Sequence, residues 1–500
     1  MGNLAPIPLF GSGIKSISPT ITAQRRLNCF WDIRKDGDKA NAVLIGTPGL
    51  SLDYTLPTGP VRGWRVVGTL LYVVAGYTLY SVAADNTHTN LGSLGTGNGK
   101  VSMSDNGAQL AIVDGAKLYI YSITAGNYYA TAFNTIGYFG AVADFTSQVG
   151  NAATTITFFD GRFLVEMKNS RQAYGSAVYD GTDWGGGAPP NGLGAATGYW
   201  TKEDYADNLS AIDSFIGYVV MWGMGSIEWW QDTGGSPLPY QRIQGATQRW
   251  GLGAKWSRAE VGNTMIFLGI NPEGHADICQ IGLSGYTPTV ISTSDVSDII
   301  NDIVSDGGLF SDAVALTYSA FGHIMYQITF PSGNRTLLYD TATQSWQETQ
   351  TGLDLQNRHI GELSIAYNNQ NYISDSTTGN VYSTSEYVYT DNGVSIKRQL
   401  VSRHIRNGGN QFTPAEVFLD FEIGLGLQSG QGSDPQISME KSTDNGHTFG
   451  QPRLKSMGKV GQYQYPRVRW TRNGTARDFV FRFTVTDPVR FIVTGGAVEI

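Results

Sequence analysis

The sequence predicts an all-β protein: a six- or seven-bladed β-propeller with an extended N-terminal arm and a C-terminal β-sandwich-like platform domain. Three observations lead there. The 500 residues include 63 glycines, 26 Tyr, 21 Phe and 11 Trp against only 15% charged residues, the balance of a turn-rich β-protein packed with bulky, rigid groups. Short alternating strands closed by Gly, Asn and Asp turns fill the chain from about residue 60 to about residue 395. A turn followed by a strand with an aromatic or apolar pair recurs at roughly 40 to 60 residues, the length of one four-stranded blade with its loops. The chain also exceeds the roughly 250–300 residues that one core usually serves. The division read from it is an arm over residues 1–55, a propeller over 56–395 and a β-domain over 396–500.

The arm is marked by Pro6, Pro8, Pro19 and the turn Gly46-Thr47-Pro48-Gly49. Blade units follow at Gly76-Tyr77-Thr78-Leu79-Tyr80, Gly115-Ala116-Lys117-Leu118-Tyr119, Asp160-Gly161-Arg162-Phe163-Leu164 and Gly225-Ser226-Ile227-Glu228-Trp229. They continue at Ala276-Asp277-Ile278-Cys279, at Asn334 to Tyr339 and at Gly379-Asn380-Val381-Tyr382. The clearest runs from Leu337 to Trp346, an apolar strand, an Asp-Thr turn and a Trp that opens the next strand; units of this kind recur in kelch-like blades, and a plain hairpin is the alternative. One helix is predicted from Thr293 or Ser294, with Val296, Ile299, Ile300, Ile303 and Val304 on one stripe and Gly307-Gly308 ending it; it reads as an insertion packed on the propeller side. In the last domain Phe479, Phe481, Phe483 and Val485 alternate with Val480, Arg482 and Thr484, so one strand has a buried side and a charged side.

Several function classes find no support. No apolar stretch approaches the roughly 18 residues of a membrane helix, and the N-terminus lacks a basic run followed by an apolar one, so no secretory signal is read and synthesis in the cytoplasm is expected. Cys29 and Cys279 lack metal or redox spacing and read as core residues, with a single bridge as the alternative. The run from Gly92 to Lys100 fails as a phosphate loop, because Leu94 and Val101 stand where a glycine and a hydroxyl are needed. The six histidines are scattered and no GxSxG elbow occurs. No catalytic, cofactor or metal residues are nominated.

Two features of the last domain stand out. Ser442-Thr443-Asp444-Asn445-Gly446-His447-Thr448-Phe449 resembles the Asp-box. In such a turn Ser442, Asp444 and Thr448 tie down amides, Gly446 takes positive φ and Phe449 anchors the hairpin. It reads as a structural staple, since a glycosidase would also need a carboxylate pair or a Tyr nucleophile. The second feature is charge. Nine basic and two acidic residues lie between Arg453 and Arg490, and that +7 leaves −15 for the rest of a chain whose total is −8. An acidic body with a basic end suits docking onto an acidic protein surface better than tight nucleic-acid binding, and Arg467, Arg469 and Arg472 are the candidate docking residues. The pairs Trp229-Trp230 and Tyr128-Tyr129 leave room for a receptor- or glycan-binding propeller.

Read in order, the patches resemble a known family, the packaged-DNA stabilisation or tail hub (nozzle) proteins of short-tailed phages. They are Gln24-Arg25-Arg26-Leu27-Asn28-Cys29-Phe30, Gly46 to Leu50, Val61-Arg62-Gly63, Leu71 to Gly76, Gly97 to Met103, Gly225 to Trp229 and the helix from Ser294. Ser442 to Gly446, Arg467 to Arg472, Phe481-Arg482-Phe483 and Asp487-Pro488-Val489 complete the series. The resemblance implies a structural virion protein of the tail, assembled in the host cytoplasm as a six-copy ring below the portal and adaptor. It implies partners in the portal-adaptor and in tail spike, fibre or needle proteins. It further implies closure of the DNA-filled head, a channel for packaged double-stranded DNA without sequence-specific binding, and no enzyme activity.

Overall fold

Alternating apolar residues between glycine-bearing turns can bury one face only by pairing with a neighbour, and almost every such run does so as an antiparallel strand. The structure is a computed structural model. It describes residues 7–11, 13–14, 18–34, 41–142, 145, 152–185, 199–235, 238–282, 285–354, 356–464 and 467–499; Pro6 lies outside them. The chain divides into two compact units, one of Leu52–Ile291 with Gly361–Tyr382, the other of Met1–Ser51, Ser292–Ile360 and Ser383–Ile500.

In the first of these units, up-and-down meanders follow one another. The first is Val61–Val67, Leu70–Ala75, Thr78–Val82 and His88–Ser93, and three more lie within residues 102–141, 153–201 and 209–242. A fifth, over 251–290, pairs two short strands with Thr264–Ile270. The hairpins close as their sequences dictate. Ala75 faces Thr78 across Gly76-Tyr77, with Gly76 at φ 52°, and Phe159 faces Arg162 across Asp160-Gly161, both at positive φ. Such two-residue turns match the twist of the strands they join. Successive sheets share cores. Leu164, Ala173 and Trp200 pack with Ile212, Val219, Met221 and Trp230 of the next meander. Short hydroxyl side chains stitch the first strands together: Ile156 N–H donates to Ser102 Oγ, Ile212 N–H to Thr155 Oγ1 and Ser214 N–H to Thr157 Oγ1.

The meander of Gly361–Tyr367, Gln370–Asp375 and Asn380–Ser385 takes its next strand from Gly49–Thr55, early in the chain. Leu56 N–H donates to Gly379 O at 2.9 Å, and Thr55 Oγ1 to Asn380 Oδ1 at 2.7 Å. With Val314–Ala320, His323–Phe330, Arg335–Asp340 and Ser345–Glu348, the chain carries seven blade-type sheets, the upper of the two expected numbers. In that last set Tyr339 lies opposite Trp346, and buried Asp340 accepts from Ala342 N–H and Thr343 Oγ1, so the Leu337-to-Trp346 unit is a hairpin pinned by its own aspartate.

The other unit is built around a sandwich. One sheet runs Cys29–Ile33, Ala42–Gly46, Ile492–Glu499, Glu416–Phe421 and Arg467–Trp470; the other continues from Ser345–Glu348 through Arg25–Leu27, Arg398–Val401, Asp478–Val485 and Gln436–Ser442 to Arg453–Ser456. Between them lie Leu44, Val417, Leu419, Trp470 and Val493 from one side, and Ile437, Met439, Phe479, Phe481 and Phe483 from the other. The expected alternation holds with one change. Val480, assigned to the outer side, is itself buried, while Arg482 stays outside and binds Glu440 in a bidentate pair at 2.7 and 2.8 Å. Arm residues thus supply strands to both sheets. Arg25 and Arg335 clamp Glu348, and Arg26 donates to Trp346 O.

The helix spans Ser294–Ser305 with Thr293 at its N-cap. Its carboxylate Asp295 accepts from Ile14 N–H at 2.9 Å. Gly307, at φ 88°, and Gly308 end it by donating back to Val304 O and Ile303 O, the left-handed stop their sequence announces. Val304, read as part of the apolar stripe, is 47% exposed. Both cysteines are free and buried, without the bridge left open above.

One buried carboxyl is costly. Burial pushes Asp391 up to about 7, against the help of Thr351 and Arg398. Asp391 also faces Tyr318, and Arg398 has unpaired nitrogens among the described residues. Between the ordinary carboxylate value and about 7, the folded state holds a proton that the unfolded state has released, so this group's contribution falls as pH rises through that window. Asp391→Asn should flatten the dependence of the melting temperature on pH between about 4 and 7. An unchanged pH profile in thermal unfolding would contradict it.

Candidate docking site

The basic end of the sequence falls on the sandwich. Along Arg467–Trp470 the strand alternates, with Val468 and Trp470 buried and Arg467 and Arg469 on the outer face. The neighbouring strand Glu416–Phe421 sets Asp420 opposite Arg467 and Phe418 opposite Arg469. Arg467 donates through Nε and Nη2 to Asp420 at 2.8 and 3.0 Å, and its guanidinium lies 3.6 Å from the centre of the Phe418 ring. The bonds to Asp420 raise Arg467 above the ordinary arginine value. Arg469 meets Glu416 at 3.4 Å and is 60% exposed. Arg472 stands apart, exposed in the turn beyond the strand at φ 60°, with no carboxylate partner among the described residues. The three arginines therefore differ: one is locked, one loosely paired and one open.

Beside them is a groove of about 1190 Å³, lined by Lys455, Met457, Gln462, Arg467, Val468 and Arg469 among others. Lys455 and Lys459 also find no carboxylate partner among the described residues, and Leu454, Val460 and Tyr463 are more than half exposed nearby in the chain. These five were not singled out in the sequence. Their signal was present, two lysines inside the basic run and a glycine-bearing loop at Gly458 and Gly461.

The Asp-box-like turn closes on itself. Ser442 Oγ donates to Asp444 Oδ1 at 2.6 Å and accepts from Gly446 N–H, while Asp444 accepts from both the amide and the hydroxyl of Thr448. These bonds hold the Asp444 carboxyl well below the usual carboxylate range. Gly446 sits at φ 85°, and Phe449 lies under the Arg482 guanidinium at 4.1 Å. All its polar contacts are internal to the turn, and it opens no pocket of its own.

Other candidates dissolve into structure. Arg62 fills the centre of the Gly92-to-Lys100 run, donating to the carbonyls of Gly76, Thr96, Asn98 and Gly99, so the loop presents oxygens inward to a guanidinium. His323 bridges Asp340 and Asp32 at 2.8 and 3.5 Å, and His404 pairs with Asp478 at 2.9 Å. Among the described residues no group of three or more His, Cys, Asp or Glu is placed to hold a metal ion, and no helix is long and apolar enough to cross a membrane. Trp229 and Trp230 are each 3% exposed and Tyr128 9%, which leaves Tyr129 as the one member of those pairs open to solvent.

Comparison with known proteins gives two family matches. The model described as "Bacteriophage P22 Gp10, beta-propeller" matches residues 12–388, and that described as "Bacteriophage P22 Gp10, beta-sandwich" matches residues 397–500. None of the curated proteins matches. Among solved structures, the chain is similar to the extracellular domain of BT4673 from B. thetaiotaomicron, at 9% identity and a TM-score of 0.41, over 76% of this chain and 45% of that one. It is also similar to the β-propeller domain of Cps50 (Swd1) from Myceliophteria thermophila, at 9% identity and a TM-score of 0.41, over 67% of this chain and 100% of that one. The chain thus spans less than half the length of the BT4673 domain.

Proposed function

Because the chain belongs to the bacteriophage P22 Gp10 family, a family of phage structural proteins, through both its β-propeller and its β-sandwich, we propose that it is the hub or nozzle ring of a short phage tail. Six copies close the DNA-filled head below the portal and adaptor, carry spike, fibre or needle proteins, and form the channel through which DNA leaves. The observation that carries this reading is the family match, which covers both halves of the chain in order.

Charge supports a division of labour. Many Lys and Arg contacts to phosphate make DNA binding tight and salt-dependent, which would obstruct transit. A body carrying −15 outside residues 453–490 repels the duplex and lets it slide. The basic end meets the adaptor through the open cations beside the groove.

Electron microscopy of the purified protein, alone and mixed with portal-adaptor complexes, tests the reading. A ring with a central channel is expected, and a persistent monomer in both would sink it. The docking step has its own test. Reversing Arg467 or Arg469 would also break the bonds to Asp420 and Glu416, so the cleaner variant is Lys455→Glu with Lys459→Glu and Arg472→Glu. It should melt within a few degrees of the parent, since open surface charges contribute little to stability. Its attachment to filled heads should fall at least about tenfold at low salt and less at high salt; attachment equal to the parent's would overturn the docking idea.

A further inference from the structure

The sheet that passes through Gln436–Ser442 ends on Arg453–Ser456, and no described strand pairs beyond it. The phase of that last strand is fixed. Met457 N–H donates to Pro435 O at 2.7 Å, and the register continues as Ile437 opposite Lys455 and Met439 opposite Arg453. Backbone groups point to alternate sides along a strand. The N–H and C=O of Leu454 and Ser456 therefore face outward, and no backbone partner meets them among the described residues.

An exposed edge is ordinarily blunted, by lysine, proline or a covering loop. Lysine is here, but so is a 64% exposed Leu454, followed by Val460 at 51% and Tyr463 at 66%. Protection needs no such apolar group; a partner strand does. The same edge borders the 1190 Å³ groove through Lys455, and Lys455, Lys459 and Arg472 lack carboxylate partners among the described residues, while Arg453 is turned to Asn473 Oδ1 and Thr471 O. Free backbone groups, an apolar surface and unneutralised cations thus coincide on one strand.

We propose that Arg453–Ser456 is a β-augmentation site that takes an extended acidic segment of a partner protein. The segment adds a strand through Leu454 and Ser456, lays its apolar side chains on Leu454, Val460 and Tyr463, and sets its carboxylates against Lys455 and Lys459. This deepens the docking reading above and rests on it for the partner's place in the tail.

The test uses the full chain and a synthetic eight-residue peptide of alternating Glu and Val, about the length of one strand, with a Lys-Val peptide as control. Amide hydrogen exchange across residues 453–457 should slow with the Glu-Val peptide, less so at high salt, and not with the control. Leu454→Pro removes one outward N–H, a position where an edge strand tolerates proline, and should weaken the peptide about tenfold with the melting curve kept. Should that variant unfold, Lys455→Glu with Lys459→Glu must abolish protection instead. Protection equal for both peptides, or absent for the Glu-Val peptide in a preparation that forms rings, overturns the edge site. Protection in a preparation that forms no rings keeps the edge site and sinks the tail-hub reading.

Discussion

Asn28→Ala should destabilise the unit built on the sandwich by about 4 kcal/mol or more, seen as an early unfolding transition and as rapid proteolysis of the arm. Asn28 is 1% exposed and makes four side-chain bonds. Its Nδ2 donates to Gln350 O and Lys397 O at 3.0 and 2.9 Å, and its Oδ1 accepts from Thr349 Oγ1 and Gln350 N–H at 2.7 and 3.0 Å. It does so from φ 54°, a left-handed position that asparagine tolerates and alanine does not. Removing the side chain leaves four buried backbone and hydroxyl groups unpaired and strains the backbone besides. The two contributions separate in Asn28→Gly, which keeps the conformation and loses the bonds. It should recover only about 1 kcal/mol of the loss. A full recovery would mean that the backbone, not the bonding, matters here.

This residue also shows what the sequence conveys and what it conceals. The arm from Gln24 to Phe30 stood out as one of the ordered patches, but its partners lie more than 300 residues away, and nothing in a local pattern announces a contact of that range. The Asp-box-like turn was legible in detail for the opposite reason. All its bonds close within seven residues, so residue types and spacing suffice. Blade strands were legible through alternation and turn chemistry. The strand Gly49–Thr55 was not, because a strand does not record which sheet it will complete.

Charge behaves in the same way. The basic run was plain in composition, but composition cannot say which cations are already spent. Asp420 and Glu416, some 50 residues upstream of their arginines, neutralise two of the three nominated side chains. The open positive groups are instead Arg472 and two lysines of the loop and edge strand, and so the docking surface moves from the outer face of one strand toward the mouth of the sandwich. Neutralisation of this kind depends on strand register, which is set by packing across the whole sheet.

Arg62→Met is expected to cost about 4 kcal/mol in the unit that carries the first meander, with hydrogen exchange accelerated first in residues 94–101. The guanidinium is 2% exposed, and burial lowers its pKa from the ordinary arginine value. What holds it there is a ring of acceptors. It donates to Gly99 O at 2.6 Å, Gly76 O at 3.0 Å, Thr96 O at 2.5 Å, Asn98 O at 2.8 Å and Thr96 Oγ1 at 2.9 Å. Those oxygens belong to a glycine-rich segment with no ladder of its own, so the arginine takes the place of a paired strand for it. Methionine fills most of the volume and satisfies none of the acceptors. Lysine keeps the charge, but three donors on one nitrogen cannot reach five acceptors spread around a plane, so Arg62→Lys should fall between methionine and the parent. Were lysine as stable as arginine, buried charge rather than donor geometry would be what shapes the loop. The same geometry decides the phosphate-loop question on physical grounds: a phosphate cradle aims N–H groups at its ligand, whereas this loop aims carbonyls at a cation.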